Sequence, residues 1–435
     1  MDPERRGCPV HWKLLNNRER DDLMTNTKPF DVSKQLVWEA WKRVKANRGT
    51  YGIDLVSLEE FEADLPKNLY KIWNRMSSGS YFPPAVRRVD IPKDDGRTRP
   101  LGIPTVGDRV AQTVVKLVLE PQIDPIFHPN SYAYRPGKSA IDAVRQTRQR
   151  CWKYNWVVDL DIQGFFDTIH HDLLMKAVKK HIQNKWVLLY IERWLKAPVV
   201  HPDGMTESRT VGTPQGGVVS PLLANLFLHY ALDVWVSRHF PQVRFERYAD
   251  DGVYHCASQG EAERLLEALE QRLKECHLSL HPQKTKIVYC KDSNRKGAYP
   301  EISFDFLGFT FRPRRVMLKH GVVSTGYTPA LSRKALKRIS TAIRKWKLQR
   351  WSGRSIEDIA RVLNPVVAGW IGYYGHFGRR ELSRIYNLLE FALIRWARKK
   401  YKKLRRSYRQ SKAFIGRLHK QSPELLVHWK LYRFG

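Results

Sequence analysis

Tyr248-Ala249-Asp250-Asp251 places two adjacent carboxylates between two short segments, 243–247 and 252–256, that roughly alternate apolar and polar residues. Such alternation predicts a pair of strands, and Asp-Asp-Gly supplies turn chemistry between them. Neighbouring carboxylates repel each other, so a fold that holds both invites a cation. All-oxygen ligands suit Mg²⁺, which keeps several waters and shares its shell with substrate phosphates. Taken alone, the tetrapeptide is weak evidence, because solvated Asp-Asp-Gly turns are common.

A second carboxylate segment lies upstream. Residues 155–162 read Asn-Trp-Val-Val-Asp-Leu-Asp-Ile, a strand pattern of period two. Trp156, Val158, Leu160 and Ile162 fall on one face, and Val157, Asp159 and Asp161 on the other. A helical start follows at 164–169. Two-metal nucleotidyl transfer needs carboxylates from separate strands to hold two ions about 3.5–4 Å apart. Asp161 with Asp250 and Asp251 would supply that set.

Other elements would position a substrate against these carboxylates. Thr213-Pro214-Gln215-Gly216-Gly217 is a compact turn whose glycines allow close approach, and Ser220-Pro221 behind it reads as a helix cap followed by Pro at the first helical position. Lys93 and Arg99 flank Asp94-Asp95-Gly96, the expected tip of a hairpin. A helical pattern, Val37-Trp38-Ala40-Trp41-Val44, begins near Lys34 and stops at Arg48-Gly49. A linker is expected from Pro313 to Pro329, followed by helices at 331–350, 355–376 and 380–408. Gly137-Lys138-Ser139 is not a phosphate-binding P-loop, because position 132 is Tyr where that motif requires Gly.

Charge narrows the class of partner. The 435 residues carry a formal net charge of +33, with 76 basic against 43 acidic side chains. From Arg312 onward, 31 Lys and Arg face five Asp and Glu, so +26 of that charge lies in the last 124 residues. Self-repulsion of this size is destabilising without a polyanion. Basic residues there are interleaved with Trp346, Trp351, Trp370, Tyr373, Tyr374, Trp396 and Tyr401, which suits a phosphate backbone with rings that stack on unpaired bases. For Trp370, Tyr373 and Tyr374 a place in the core is an equal alternative. The five cysteines form no C-x-x-C pair, which points to a reducing compartment and no zinc site. No run of about 18 apolar residues predicts a membrane span, and the first residues read as neither a signal nor a transit peptide.

The motifs together resemble a known family. Asp161-Ile162-Gln163-Gly164-Phe165-Phe166-Asp167, Gly212-Thr213-Pro214-Gln215-Gly216-Gly217 with Ser220-Pro221-Leu222, and Tyr248-Ala249-Asp250-Asp251 occur in the order found in reverse transcriptases, and look like those encoded by bacterial group II introns. Arg87-Arg88-Val89-Asp90-Ile91-Pro92-Lys93 through Arg99-Pro100-Leu101-Gly102-Ile103-Pro104 resembles the fingers. Blocks at 131–140, 281–286 and 306–309 agree, and 363–374 resembles the maturase segment. The resemblance implies an α+β fold: a right-hand polymerase with an antiparallel palm sheet, then an α-helical thumb and maturase domain. Composition sets off residues 1–33, polar and rich in Asn, Arg and Asp, as a loose arm that matches nothing in the family. The divisions that follow are fingers and palm at 34–315, thumb and maturase helices at 316–408, and a short basic tail at 409–435.

The resemblance also implies roles. Asp161, Asp250 and Asp251, with Ile162, would hold two Mg²⁺ ions, for which Mn²⁺ could substitute, while Asp159 would be a neighbour or structural partner. Lys93, Arg99, Phe166, Gln215 and Lys284 would bind the incoming dNTP. Phe166 would be the ring that excludes a ribose 2′ hydroxyl, or else an ordinary core Phe; Lys286 competes with Lys284. Arg398, Lys399, Lys400, Lys402, Lys403, Arg405 and Arg406 would grip RNA backbone on a helix, or form a solvated face. The implied partners are group II intron RNA, an RNA template with a DNA primer, dNTPs and target DNA, in a bacterial cytoplasmic ribonucleoprotein that joins the nucleoid when it engages DNA. No Cys/His endonuclease module follows residue 406, so second-strand cleavage is not expected. A splicing-only maturase and a host-domesticated reverse transcriptase, in phage defence or DNA repair, are the alternatives.

Overall fold

Serine and threonine set many of the helix starts. Ser33, Thr105, Ser139, Ser332 and Ser407 each accept a hydrogen bond from a backbone N–H in the first turn of the helix that follows. Ser57 with Glu60 and Ser355 with Asp358 make full capping boxes. The computed structural model describes residues 28–92, 98–317 and 321–431.

In chain order the first elements are α1 (Lys34–Ala46), α2 (Leu58–Ala63), α3 (Leu65–Ser77), β1 (Val86–Pro92), β2 (Thr98–Ile103), α4 (Val106–Ile123) and α5 (Ala140–Cys151). Then come β3 (Trp156–Asp161), α6 (Phe165–Thr168), α7 (His171–Lys179), α8 (Lys185–Leu195), β4 (Val199–Val200), β5 (Thr206–Glu207), α9 (Ser220–Leu228) and α10 (Val234–His239). The hairpin strands β6 (Arg244–Tyr248) and β7 (Asp251–Cys256) lead to α11 (Gln259–Glu275), β8 (Lys286–Tyr289), β9 (Phe304–Phe306), β10 (Phe309–Met317) and β11 (Val323–Leu331). Four helices close the described chain: α12 (Arg333–Lys345), α13 (Ile356–Tyr374), α14 (Ser383–Lys400) and α15 (Tyr408–Gln421). The mixture of helices with mainly antiparallel sheets is the α+β class read from the sequence.

The chain forms two compact units. The first takes residues up to 137 with 161–242 and 265–282. In it α1 and α3 pack on α4, burying Val37, Ala40, Trp41 and Val44 of the predicted pattern, while Trp38 is only half-buried. Its sheet runs β2-β1-β4-β5, with β1 and β2 paired in the antiparallel register Pro92↔Thr98. The hairpin expected around Asp94-Asp95-Gly96 is therefore present in its strands, while its tip, with Lys93, lies outside the described residues. Residues 28–33 do not hang loose as the arm was expected to. Phe30 N–H donates to the Ser77 carbonyl at 3.1 Å, and Trp73 Nε1 donates to the Val32 carbonyl at 2.7 Å.

The second unit takes 138–160, 243–264 and residues from 283 onward. Its four-stranded sheet runs β6-β7-β3-β8, and a three-stranded sheet runs β11-β10-β9. The expected linker from Pro313 to Pro329 is instead the long hairpin of β10 and β11. Both prolines are tolerated for a definable reason. β9 covers β10 only as far as Phe311, so Pro313 has one paired side, and Pro329 sits on the edge strand. The boundary expected at 315/316 thus falls inside a strand. The three predicted helices are α12, α13 and α14, shorter than read by one to eight residues at their ends.

The expected basic tail is also corrected. Residues 408–421 form α15, and Ile415, Leu426 and Trp429 join one apolar cluster with Ile339, Ile359, Leu363, Leu389, Leu393 and Trp396. Trp370 stacks on Trp346 at 5.5 Å, and Tyr373 and Tyr374 pack against Phe309. These three rings are half-buried: Trp370 and Tyr374 pack against the edge of the helical cluster, and Tyr373 donates its hydroxyl to the Leu307 carbonyl at 2.8 Å. Cys151, Cys256, Cys276 and Cys290 are free and buried, and burial pushes the Cys256 thiol up to about 12. Among the described residues no helix is long and apolar enough to cross a membrane.

Candidate active site

The carboxylate turn is tighter than its sequence suggests. Tyr248 pairs directly with Asp251, so the loop is only Ala249 and Asp250. The glycine of Asp-Asp-Gly is not the turn residue: Gly252 lies within β7, opposite Arg247. Ala249 takes the left-handed conformation instead, at φ +56°. A two-residue hairpin of the primed type demands a positive φ at this position. A non-glycine residue adopts it at a cost of roughly 1–2 kcal/mol. Arg247 offsets that cost. It is fully buried, and its Nη1 donates to the Ala249 carbonyl at 3.0 Å. No motif in the sequence marked Arg247, since an arginine in an alternating strand reads as a solvent-facing residue. Beside it, buried Glu246 pairs with Arg150 at 2.6 Å and with His255 at 2.7 Å, tying β6 to α5.

β3 ends at Asp161, and the sheet order seats β3 beside β7, the strand that begins at Asp251. Asp159 stands opposite Lys286 in the β3–β8 register. Lys286 is engaged by Glu301 at 3.1 Å and the Ser303 carbonyl at 2.8 Å. Lys284 is exposed in the segment before β8. Ile162 is buried and bridges Leu280. The donors on these strands are all carboxylate oxygens. Among the described residues no three His, Cys, Asp or Glu side chains are grouped to hold a metal ion. Such donors fit Mg²⁺ as one or two carboxylates completed by water and phosphate, the sharing this ion accepts.

Within the first unit, the 212–217 turn brings three predicted residues together. Arg99 Nε donates to Gln215 Oε1 at 2.5 Å, and Gly102 N–H donates to the Gln215 carbonyl at 2.6 Å. The approach requires glycine: at Gly216, φ is +115° and a Cβ would lie 2.3 Å from the Gly102 oxygen. Thr213 N–H donates to the Phe166 carbonyl at 2.7 Å, so Phe166 is anchored to the same turn with its ring buried. Ser220 does not cap α9 as expected. Its hydroxyl accepts from Thr213 Oγ1 at 2.8 Å, and Val219 occupies the cap position without a side-chain bond. A cleft of about 350 Å³ opens here, lined by Arg88, Gly102, Asp167, Arg209 and Gln215 among others.

The turn rests on a buried network that sequence reading missed. Gln112 Oε1 accepts from Val218 N–H at 2.7 Å and Val219 N–H at 3.3 Å, while its Nε2 donates to Asp108. Asp108 also accepts from Tyr81 and Trp194, and burial raises its carboxyl above the ordinary range against the pull of those bonds. Gln112→Leu leaves the half-buried Val218 N–H and the buried Val219 N–H without their acceptor. It is expected to cost about 1–3 kcal/mol in urea unfolding, whereas substitution of exposed Gln122 should cost little.

The basic stretch 398–406 is not one helix. α14 ends at Lys400 because Tyr401 turns extended and packs its ring on Trp396 and Phe414. Arg398 donates to the Arg405 carbonyl, and Lys400 to the carbonyls of Ser352 and Arg354. Lys399, Lys402, Lys403, Arg405 and Arg406 remain exposed.

With this geometry in view, comparison with known proteins defines the class. Residues 91–311 match the model of the reverse transcriptase (RNA-dependent DNA polymerase) family, and residues 336–414 match the group II intron maturase-specific domain. The chain belongs to the reverse transcriptase family and carries a maturase-specific domain behind the polymerase region. Its fold class is accordingly the right-hand polymerase followed by a helical domain. Protein YkfC of Escherichia coli is 35% identical over 48% of this chain and 54% of its own length. Group II intron-encoded protein LtrA of Lactococcus lactis subsp. cremoris is 31% identical over 55% of this chain and 39% of its own. The putative COX1/OXI3 intron 1 protein of Saccharomyces cerevisiae is 27% identical over 51% and 26%. The matches thus span about half or less of the length of these relatives.

Proposed function

We propose that this protein is an RNA-directed DNA polymerase that also binds group II intron RNA as a maturase. The observation that carries this reading is the strained two-residue turn of Tyr248-Ala249-Asp250-Asp251, clamped by buried Arg247 within the region matching the reverse transcriptase family. Asp161, Asp250 and Asp251, with Ile162 beside them, would hold Mg²⁺, or Mn²⁺ in its place. The bound ions would activate the primer 3′ hydroxyl and stabilise the pyrophosphate leaving group.

The chain's own residues do the rest. Arg99 and Gln215, already paired, present a guanidinium and an amide to the incoming dNTP, with Lys93 and Lys284 supplying further charge for its phosphates. The Phe166 backbone is tied to the 212–217 turn through the Thr213 N–H, and its ring would exclude a 2′ hydroxyl from there. Phe166→Ala is therefore expected to raise ribonucleotide incorporation roughly tenfold or more, the scale of one lost steric contact. Competition between dNTP and rNTP in primer extension reads this directly, and unchanged sugar selectivity would assign Phe166 to the core alone.

The exposed cations of 398–406, with the maturase-matching helices, would meet RNA backbone. Intron RNA, a primed RNA template and target DNA are the polyanions a chain of this charge would serve, in a bacterial cytoplasmic ribonucleoprotein. The deciding experiment is primer extension on an RNA template with Mg²⁺ and dNTPs. Full-length cDNA supports the polymerase. Absence of extension, with tight RNA binding retained, would leave a splicing-only maturase.

A further inference from the structure

Thr310, Arg312 and Arg314 alternate along β10 with Phe309 and Phe311. The two phenylalanines are fully buried, so the arginines line the opposite face of the β11-β10-β9 sheet. On that face Arg312, Arg314, Arg333 and Arg384 surround a hollow of about 360 Å³. A recess of about 560 Å³ shares Arg312 and Arg314 and adds Arg148, Arg315, Arg379 and Arg380. The acids present do not balance them: Asp305 accepts from Thr310, and Glu381 is shared by Arg314 and Arg384.

Two features separate this face from ordinary solvated charge. Among the described residues the cations lining both hollows are arginines, with His376 in the second, whereas the 398–406 stretch mixes Lys and Arg. Arginine is the residue suited to bidentate contact with phosphate oxygens. Several of these guanidiniums are also fixed in advance. Arg314 is held by the carbonyls of Thr310 and Thr328 and by Glu381, and Arg148 lies over the rings of Trp152 and Phe377. Burial, with Arg312 nearby, lowers the Arg314 guanidinium from its ordinary value, so the site stands to gain from a negative ligand.

We infer that this all-arginine face is a second RNA contact, separate from the 398–406 stretch, which grips consecutive phosphates of an RNA backbone without reading its bases. The inference rests on the proposal that RNA is this protein's polyanion. Arg312 is exposed and the Arg384 side chain is 60% exposed, so both can be replaced without opening the core. Binding of hairpin RNAs of two unrelated sequences to the full chain would be measured across a series of salt concentrations, for the wild type and for Arg312→Gln/Arg384→Gln. The slope of log affinity against log salt should become shallower by about 1.5, from two lost phosphate contacts at about 0.7–0.9 each. Both sequences should respond equally, and Arg312→Lys/Arg384→Lys should restore most of the slope. An unchanged slope in a variant that melts like the wild type overturns the inference, as does a loss confined to one sequence. Inorganic triphosphate that protects the face while RNA does not would also overturn it. Failure of the wild type to extend a primer would count against the polymerase reading and leave this comparison intact.

Discussion

Alanine at Asp250 or Asp251 is expected to reduce cDNA synthesis by on the order of 10³-fold or more. Metal-held carboxylates supply several kcal/mol of transition-state charge stabilisation, and each 1.36 kcal/mol is a factor of ten in rate. RNA affinity should hold, because the basic residues proposed to carry it lie on other segments. Primer extension and RNA binding on the same preparation test both halves of the expectation. A companion variant, Arg247→Met, separates chemistry from positioning. It keeps both carboxylates and removes the donor to the Ala249 carbonyl. Loss of extension in a variant that keeps the wild-type thermal midpoint would make Arg247 a positioning residue for the turn, whereas loss that tracks a lowered midpoint would make it structural only. Retained extension would mean that the 248–251 loop keeps its shape without the clamp.

Trp429→Ala is expected to produce the largest loss of stability outside the polymerase region, about 3–5 kcal/mol for a buried tryptophan. Trp429 is only 2% exposed, and its Nε1 donates to Glu390 Oε1 at 2.6 Å. His428 Nε2 meets the same oxygen at 3.0 Å. Removing the indole both opens a cavity in the helical cluster and takes a partner from a buried carboxylate. Urea or thermal unfolding of the full chain would show it as a lowered midpoint. Tyr408→Ala, at a residue 48% exposed, should leave the midpoint nearly unmoved. If both variants behaved alike, the segment after α15 would not belong to the core.

Much of this architecture was legible because its signals are local. The period-two pattern of 155–162 is β3, the alternation around Asp250 is the β6–β7 hairpin, and the spacing of Val37, Ala40, Trp41 and Val44 is the buried face of α1. The misreadings share one cause, which is that a partner distant in sequence overrode a local preference. Pro313 and Pro329 are strand breakers by composition, yet each falls where the ladder is open on one side. Ser220 has the chemistry of a helix cap, but Thr213 claims its hydroxyl. Residues 409–431 look like a solvated basic tail until Glu390, on a helix earlier in the chain, accepts from Trp429.

By itself the sequence determined which side chains are present and in what order: the carboxylates of 159–161 and 250–251, the glycine-rich turn at 212–217, and a charge of +26 gathered beyond residue 311. That was enough for the fold class and the family, because motif spacing and charge survive in one dimension. Only the tertiary structure decided what holds those groups in place. Gln112 reaches the backbone of Val218 across 106 residues, Arg99 meets Gln215 across 116, and buried Arg247 closes on the carbonyl of a left-handed alanine. Buried donors and acceptors must find partners wherever the fold brings them, and that requirement leaves no periodic trace in the chain.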